Sequence, residues 1–182
     1  MFEQIKCCQK CYLNCNQKPL LDEKKECEIF WVGLSAKIKQ SEAEIPLSDK
    51  TNTGKLICMI EEACIDIKTY KTNLVKCVPL DEKQKLRYPN RLEINSCVDH
   101  LSTEINQLSP KIVFLLGEKV YTSVGRYYKL KFEKWSNFEY QYIKYNDIYF
   151  VPVHHPSYIQ VYKRKYIDEY VNSIKSIVNE LL

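Results

Sequence analysis

Apolar and polar positions change period several times along this chain. Residues 28–34, EIFWVGL, are a short apolar run closing at Gly33 and Leu34, the pattern of a buried strand feeding a loop. Residues 35–52 are polar and loop-like. Residues 54–65, GKLICMIEEACI, carry apolar side chains at helical spacing. Residues 70–78, YKTNLVKCV, read as a second strand, and the polar stretch from Pro79 to Asn90 as a loop. Over 91–108, Leu92, Ile94, Val98, Leu101, Ile105 and Leu108 track one helical face, and Pro110 stops it. Residues 111–117, KIVFLLG, predict a buried strand that again ends at glycine, and 118–128 a helix. The aromatic stretch 130–150 reads as loop and strand, with IYFVPV a strand; HHPSY follows, then a helix over 161–182.

Strands that are continuous apolar runs and alternate with helices predict a parallel sheet covered on both faces. The expected fold is three-layer α/β/α with a central, mainly parallel four-stranded sheet. It forms one domain over 1–182, with an N-terminal cysteine-rich arm to about residue 27. In such sheets ligands bind beyond the carboxyl ends of the strands. The segments to watch are therefore those after Gly33, from Asn73 to Cys77, after Gly117, and from His154 to Ser157.

Composition narrows the class. The 182 residues are 45% hydrophobic and 27% charged, enough apolar content for a core and too little charge for a disordered chain. No run of about 18 apolar residues predicts a membrane span, and the N-terminus lacks the basic-then-apolar pattern of a secretory signal. The expectation is an intracellular, cytoplasmic monomer. A net charge of +4 is compatible with a nucleic-acid partner without requiring one.

The nine cysteines are odd in number, which with no export signal argues against a disulfide scaffold. Four fall in the first fifteen residues, and Cys8-Gln9-Lys10-Cys11 is a C-x2-C pair, a spacing that lets two thiolates reach one metal centre. No second C-x2-C follows, so any further ligands must be isolated cysteines, with Cys77 and Cys97 the best placed. Cys27, Cys58 and Cys64 read as small core residues.

Five ordered segments resemble the family-4 uracil-DNA glycosylases, the iron–sulfur branch of the uracil-DNA glycosylase superfamily. Cys8 to Leu13 looks like the family's opening C-x2-C-x-L. Gly33-Leu34-Ser35-Ala36-Lys37 occupies the place of its first active-site loop, usually Gly-Glu-x-Pro-Gly. Thr72-Asn73-Leu74-Val75-Lys76-Cys77 is close to its Thr-Asn-Val-Val-Lys-Cys. Asn90-Arg91, Glu93-Ile94 and Cys97 resemble the helix that carries the last cluster cysteine. Pro110 to Gly117, followed by His155-Pro156-Ser157, resembles its final strand and His-Pro-Ser loop. The resemblance spans about residues 8–158.

The resemblance implies a structural [4Fe–4S] cluster on Cys8, Cys11, Cys77 and Cys97, with Cys7 and Cys15 as lesser substitutes; four thiolates are the usual ligation. It implies a monofunctional DNA glycosylase that flips a pyrimidine out of the stack and hydrolyses its N-glycosidic bond. His155 would donate to the departing base, although a histidine before proline also suits a loop cap. Asn73 would read the pyrimidine edge with its paired donor and acceptor, although Thr-Asn is also an ordinary turn signal. Ser157 would contact a phosphate. Tyr158, Ile159 and Gln160 would offer a wedge into the vacated stack. Lys163 and Arg164 would track the backbone or form a solvated helix face.

The first loop departs from the family. Leu34 stands where the family has Glu, Ala36 where it has Pro, and Lys37 where it has the second Gly. The water-orienting acid falls near Gln40, with Glu42 and Glu44 behind it. Leu47 follows Pro46 where the family has a phenylalanine that stacks on uracil. His154, before the His-Pro-Ser motif, is an extra pocket group or strand-end packing. Two explanations compete: a silent DNA-binding module, or a glycosylase with a roomier pocket for a modified pyrimidine. Glucosylated hydroxymethylcytosine of phage DNA, an anti-phage role, is the sharpest form of the second. A uracil glycosylase with an unusual loop is the rival within the same class. Ser35 and Lys37 would add polar donors; Lys37 would alternatively contact phosphate, stay solvated, or attack C1′ as an amine.

Overall fold

A computed structural model describes residues 2–23, 25–41, 43–64 and 66–182. Its centre is a five-stranded sheet of order β2-β1-β3-β5-β4. The strands are β1 (Ile29–Ser35), β2 (Thr69–Val75), β3 (Ile112–Leu116), β4 (Ile143–Tyr145) and β5 (Ile148–Val153). The β2-β1-β3-β5 ladder is parallel throughout, and β4 pairs antiparallel with β5.

The expected mainly parallel α/β sheet is thus present, but it has five strands rather than four. The extra one is β4, which turns into β5 at Asn146 and Asp147, both at positive φ (48° and 63°). Two consecutive left-handed residues are what a tight hairpin needs to match strand twist. Pro152 sits in β5 beyond Phe150, the last residue paired with β4, so its missing N–H leaves no gap on that side.

Among the described residues six α-helices accompany the sheet: α1 (Phe2–Lys6), α2 (Asn52–Glu62), α3 (Arg91–Leu108), α4 (Glu118–Tyr128), α5 (Pro156–Tyr162) and α6 (Ile167–Leu181). The strands' alternation splits the core. Trp31, Phe114 and Val153 face α2, α5 and α6. Phe30, Val113 and Phe150 face α3 and α4.

Helix α3 starts at a reciprocal cap, in which Asn90 Oδ1 accepts from Glu93 N–H while Glu93 accepts from Asn90 N–H. It ends at Ser109, in the left-handed region, just before Pro110. Leu92, placed on its apolar face by periodicity, is instead exposed.

The C-terminal helix expected from residue 161 is two helices. Pro156 sets φ for an early start of α5. The chain then leaves helical geometry at Lys163 (φ −131°, ψ 28°), and a 3₁₀ turn over Arg164–Tyr166 re-aims it into α6. No helix among the described residues is long and apolar enough to cross a membrane.

Candidate functional site

The carboxyl edge of the parallel ladder brings together segments that are far apart in sequence. Gly33 on β1 pairs with Asn73 on β2, and Leu116 on β3 with Val153 on β5. Gly117 N–H donates to Val153 O at 2.8 Å. Three strand spacings separate β2 from β5, so Asn73 and the start of the His-Pro-Ser segment have backbones about 14 Å apart.

Asn73 is 3% exposed, and its side chain lies across Gly33. A β-carbon on Gly33 would stand 2.4 Å from Asn73 Oδ1 and 3.0 Å from a Leu47 methyl. Gly33 is therefore glycine for close approach, and Leu47 shares the contact. Leu47 holds φ 53°, a strained setting for a bulky residue, so the surrounding chain fixes its place beside Asn73.

At the other end His155 caps α5 and packs on Gly117, whose φ of 92° calls for glycine. His155 Nδ1 accepts from Ser157 N–H at 3.2 Å and pairs with Ser157 Oγ at 2.7 Å. Accepting from a backbone N–H requires an unprotonated Nδ1, so the neutral ring carries its proton on Nε2. Burial, and next the positive charge of Lys37, lower the His155 pKa to about 4. The ring is therefore neutral near pH 7, with Nε2–H as its donor. The cap role and a donor role coexist in one side chain.

The first loop continues β1: Ala36 N–H donates to Val75 O at 3.0 Å, and Ala36 is buried. Leu34 and Ser35 are half-buried and Lys37 is exposed, with its charge felt at His155. Gln17 ties the loop down, donating to Lys37 O at 3.3 Å and accepting from Lys39 N–H at 2.8 Å. Gln40 is exposed, and its N–H donates to Glu44 Oε2 at 2.7 Å; that carboxylate braces the local turn. Glu42 lies outside the described residues.

His154 sits in an aromatic shell. Its Nδ1 is 2.8 Å from Tyr140 Oη, its ring packs on Trp135 and Phe138, and Tyr158 stacks on it at 5.6 Å and 12°. Burial first, then Lys163, lower its pKa to about 4.

Of the wedge candidates, Ile159 is buried in the core, and Gln160 is tied to Asn52 O at 2.7 Å. That corrects both: neither is free to enter a base stack. Tyr158 is exposed, as are Lys163 and Arg164 on the turn behind it. Lys163 Nζ lies 5.8 Å from the Tyr166 ring centre. Ser157 directs its hydroxyl at His155, an orientation different from the phosphate contact expected of it.

Cys8, Cys11, Cys77 and Cys97 line one small cavity with His100 and Lys76. Cys7 and Cys15 are exposed and do not line it. Burial, then the sulfurs of Cys97, Cys11 and Cys8, push the Cys77 thiol up to about 12. Burial pushes Cys97 up to about 11, against the opposing charge of Lys76. His100 Nε2 is 3.0 Å from Cys8 Sγ.

The arm carrying Cys8 and Cys11 is tied to α3. Tyr12 Oη donates to Glu93 at 2.7 Å, Arg87 donates to Glu93 through both terminal nitrogens, and Lys10 pairs with Asp99. Arg87 above all holds the Glu93 carboxyl down at about 2. Among the described residues no three His, Cys, Asp or Glu side chains are set to hold a single metal ion. A four-iron cluster makes a different demand, because each thiolate binds its own iron and the sulfurs stand apart around the cubane. Four thiols around one cavity are donors of the type such a cluster takes.

A protein-family comparison matches residues 22–181 to the uracil DNA glycosylase superfamily. The chain belongs to that superfamily. Members of the uracil DNA glycosylase superfamily are DNA glycosylases, hydrolases that act on DNA. The wild-type SMUG2 of Pedobacter heparinus, known from a crystal structure, shares the fold at TM-score 0.50 and 14% identity, over 85% of this chain and 77% of that one. No curated protein sequence matches significantly.

Within this superfamily framework some site features escape the sequence. Lys76 is 1% exposed and Glu104 is fully buried; they form an ion pair, and Tyr70 and Thr72 hydrogen-bond to Glu104. Nothing in TNLVKC announces that its lysine points inward. The Ser157–His155 contact also goes unseen, although serine two residues after a helix-capping histidine is a local signal that points to it.

Proposed function

We propose that this protein is a monofunctional DNA glycosylase that takes a pyrimidine out of DNA, reads it with Asn73 and donates to the leaving base from His155 Nε2. The observation that carries this reading is the pair of Ser157 contacts on His155 Nδ1. They hold the half-buried ring neutral, with its remaining proton on the nitrogen a leaving base would need. In the reaction the C1′–N bond breaks and its electron pair leaves with the base, while water adds to C1′ and releases a proton. A fixed N–H donor is worth most where that negative charge develops, since it needs no reorganisation as the bond breaks. Asn73, locked over Gly33, offers the donor and acceptor for the base edge.

The base is a modified pyrimidine, with glucosylated hydroxymethylcytosine of phage DNA the sharpest candidate. Supporting this, Leu47 occupies the position beside Gly33 and Asn73 where the resembled family places a stacking ring. An aliphatic side chain there leaves room over the base, and exposed Lys37 near His155 offers a cation to a polar substituent. Tyr158, Lys163 and Arg164 form the rim that meets DNA. Cys8, Cys11, Cys77 and Cys97 hold a [4Fe–4S] cluster whose contribution is structural, fastening the arm to the sheet end.

The test is base release. Duplexes and single strands carrying uracil, hydroxymethylcytosine, glucosylated hydroxymethylcytosine or ordinary bases are incubated with protein and scored for abasic sites. Release from the glucosylated base is expected, without nicking before alkali. Release from uracil alone rejects the modified-base reading. Nicking before alkali rejects monofunctionality and implicates Lys37. Binding with no release from any duplex rejects the enzyme reading.

A further inference from the structure

Lys76 is a charged side chain buried at 1% exposure, on the segment between Asn73 and Cys77. Its ammonium uses its donors on three partners: Thr72 Oγ1 at 2.8 Å, the main-chain carbonyl of Asn73 at 2.5 Å, and the Glu104 carboxylate. Glu104, from α3, is further satisfied by Tyr70 Oη at 2.9 Å and by Thr72 Oγ1. The Lys76 N–H donates to Cys97 Sγ at 3.4 Å. One residue therefore grips the Asn73 carbonyl with its side chain and a cysteine sulfur with its backbone.

A buried ion pair is a weak source of stability, because desolvating both charges offsets their attraction. What it supplies is definition: every donor and acceptor is met in one arrangement only. The group so defined is the peptide of Asn73, whose side chain must sit against Gly33 with little tolerance.

We propose that Lys76 is a positioning residue for Asn73, acting with Glu104 to fix the backbone from which the base-reading amide projects. The proposal rests on the reading of Asn73 given above, and it concerns a residue that touches no substrate.

The test uses the whole chain. Asn followed by Leu occurs once in the sequence, at Asn73-Leu74. Labelling with ¹³C′-Asn and ¹⁵N-Leu therefore yields one cross-peak that reports the gripped carbonyl. The Asn73 side-chain amide is assigned separately, as the signal pair absent from Asn73→Asp. Lys76→Met alone would strand Glu104, so Lys76→Met is combined with Glu104→Leu, which removes both charges at similar volume. Thr72→Val is the milder second variant, deleting one hydroxyl of the network.

In folded protein the expected result is a displaced cross-peak and a shifted or broadened Asn73 amide, larger in the double variant than in Thr72→Val. Single-turnover base release at saturating protein should fall about tenfold in the double variant, the loss of one charged hydrogen bond, with DNA affinity unchanged. An unmoved Asn73 amide in either folded variant overturns the proposal, as does unimpaired release with a displaced amide. Parent protein that releases no base refutes the glycosylase reading instead, and the resonance measurements still decide the role of Lys76.

Discussion

Replacing Gly33 by alanine adds one methyl and tests the geometry of the site directly. The methyl would stand 2.4 Å from Asn73 Oδ1 and 3.0 Å from Leu47 Cδ2. Gly33 is a strand residue outside the positive-φ set, so the backbone accepts alanine, and a strand interior gains slightly from losing a glycine. Both contacts are with side-chain ends and neither with backbone, and the tighter is with the amide, so the fold holds and Asn73 yields. Relief to an ordinary contact requires the amide to retreat by about 1 Å, and misplacement of that size costs about 100-fold in rate. That is about 2.7 kcal/mol of transition-state stabilisation. Single-turnover release on the best substrate measures it, with fluorescence anisotropy for DNA affinity and thermal melting for the fold. Expected is a drop of about 100-fold in rate with both controls near parental values. Because Gly33 acts through Asn73, adding Gly33→Ala to Asn73→Ala should cost nothing further. Full activity in folded Gly33→Ala, or additive losses in the double variant, would refute the reasoning.

Ser157→Ala leaves one donor, the backbone N–H, on His155 Nδ1. Release should fall about tenfold, as for the loss of one hydrogen bond, and ¹⁵N shifts of His155 should show less of the Nε2–H tautomer. His154 and His155 are both lowered to about 4, chiefly by burial. Below about pH 6.5 these two rings take up protons in the unfolded chain and not in the folded one, so the stability they contribute should decline between about 6.5 and 4; chemical denaturation across that range checks it. The acid limb of the release rate should lie near 4, and Lys37→Met should move it upward by removing the charge that helps keep His155 neutral; an inflection near 6.5 in the parent contradicts this. Cys97→Ala should abolish iron–sulfur absorbance after anaerobic purification, whereas Cys7→Ala should leave it intact.

What was legible in the sequence depended on whether the signal was local. Helix α3 has its expected bounds because Asn90, Glu93 and Pro110 mark both ends within a few residues. Helix α4 and strand β5 likewise run between Gly117 and Lys129, and between Asp147 and His154. Strand β4 was hidden because three residues, one half-buried and two exposed, carry too little alternation to register; only the Asn146-Asp147 turn betrays it. Strand β2 stops at Val75 instead of running to Val78, since the N–H of Lys76 turns to Cys97 Sγ. Asn73 and His155 could be singled out through their motifs. Their support could not: a lysine between Val75 and Cys77 reads as a polar interruption until Glu104, 28 residues on, is brought beside it.

Helix α3 shows why periodicity alone understates such an element. Its apolar stripe, with Val98, Leu101 and Ile105, packs against the sheet. Glu93, Cys97, His100 and Glu104 recur at spacings of four, three and four, which places them on a common face. In sequence that row looks like an ordinary polar side. In the structure each member has its own anchoring contact: Glu93 takes Tyr12 and Arg87, Cys97 takes the N–H of Lys76, His100 meets Cys8, and Glu104 takes the ammonium of Lys76 with Thr72 and Tyr70. The first and third hold the cysteine arm, and the second and fourth hold the segment behind Asn73. A displacement of α3 along its axis would therefore be felt at the arm and at Asn73 together. That physical link explains why residues as far apart in sequence as Cys8 and Asn73 are registered against one another at the same end of the sheet.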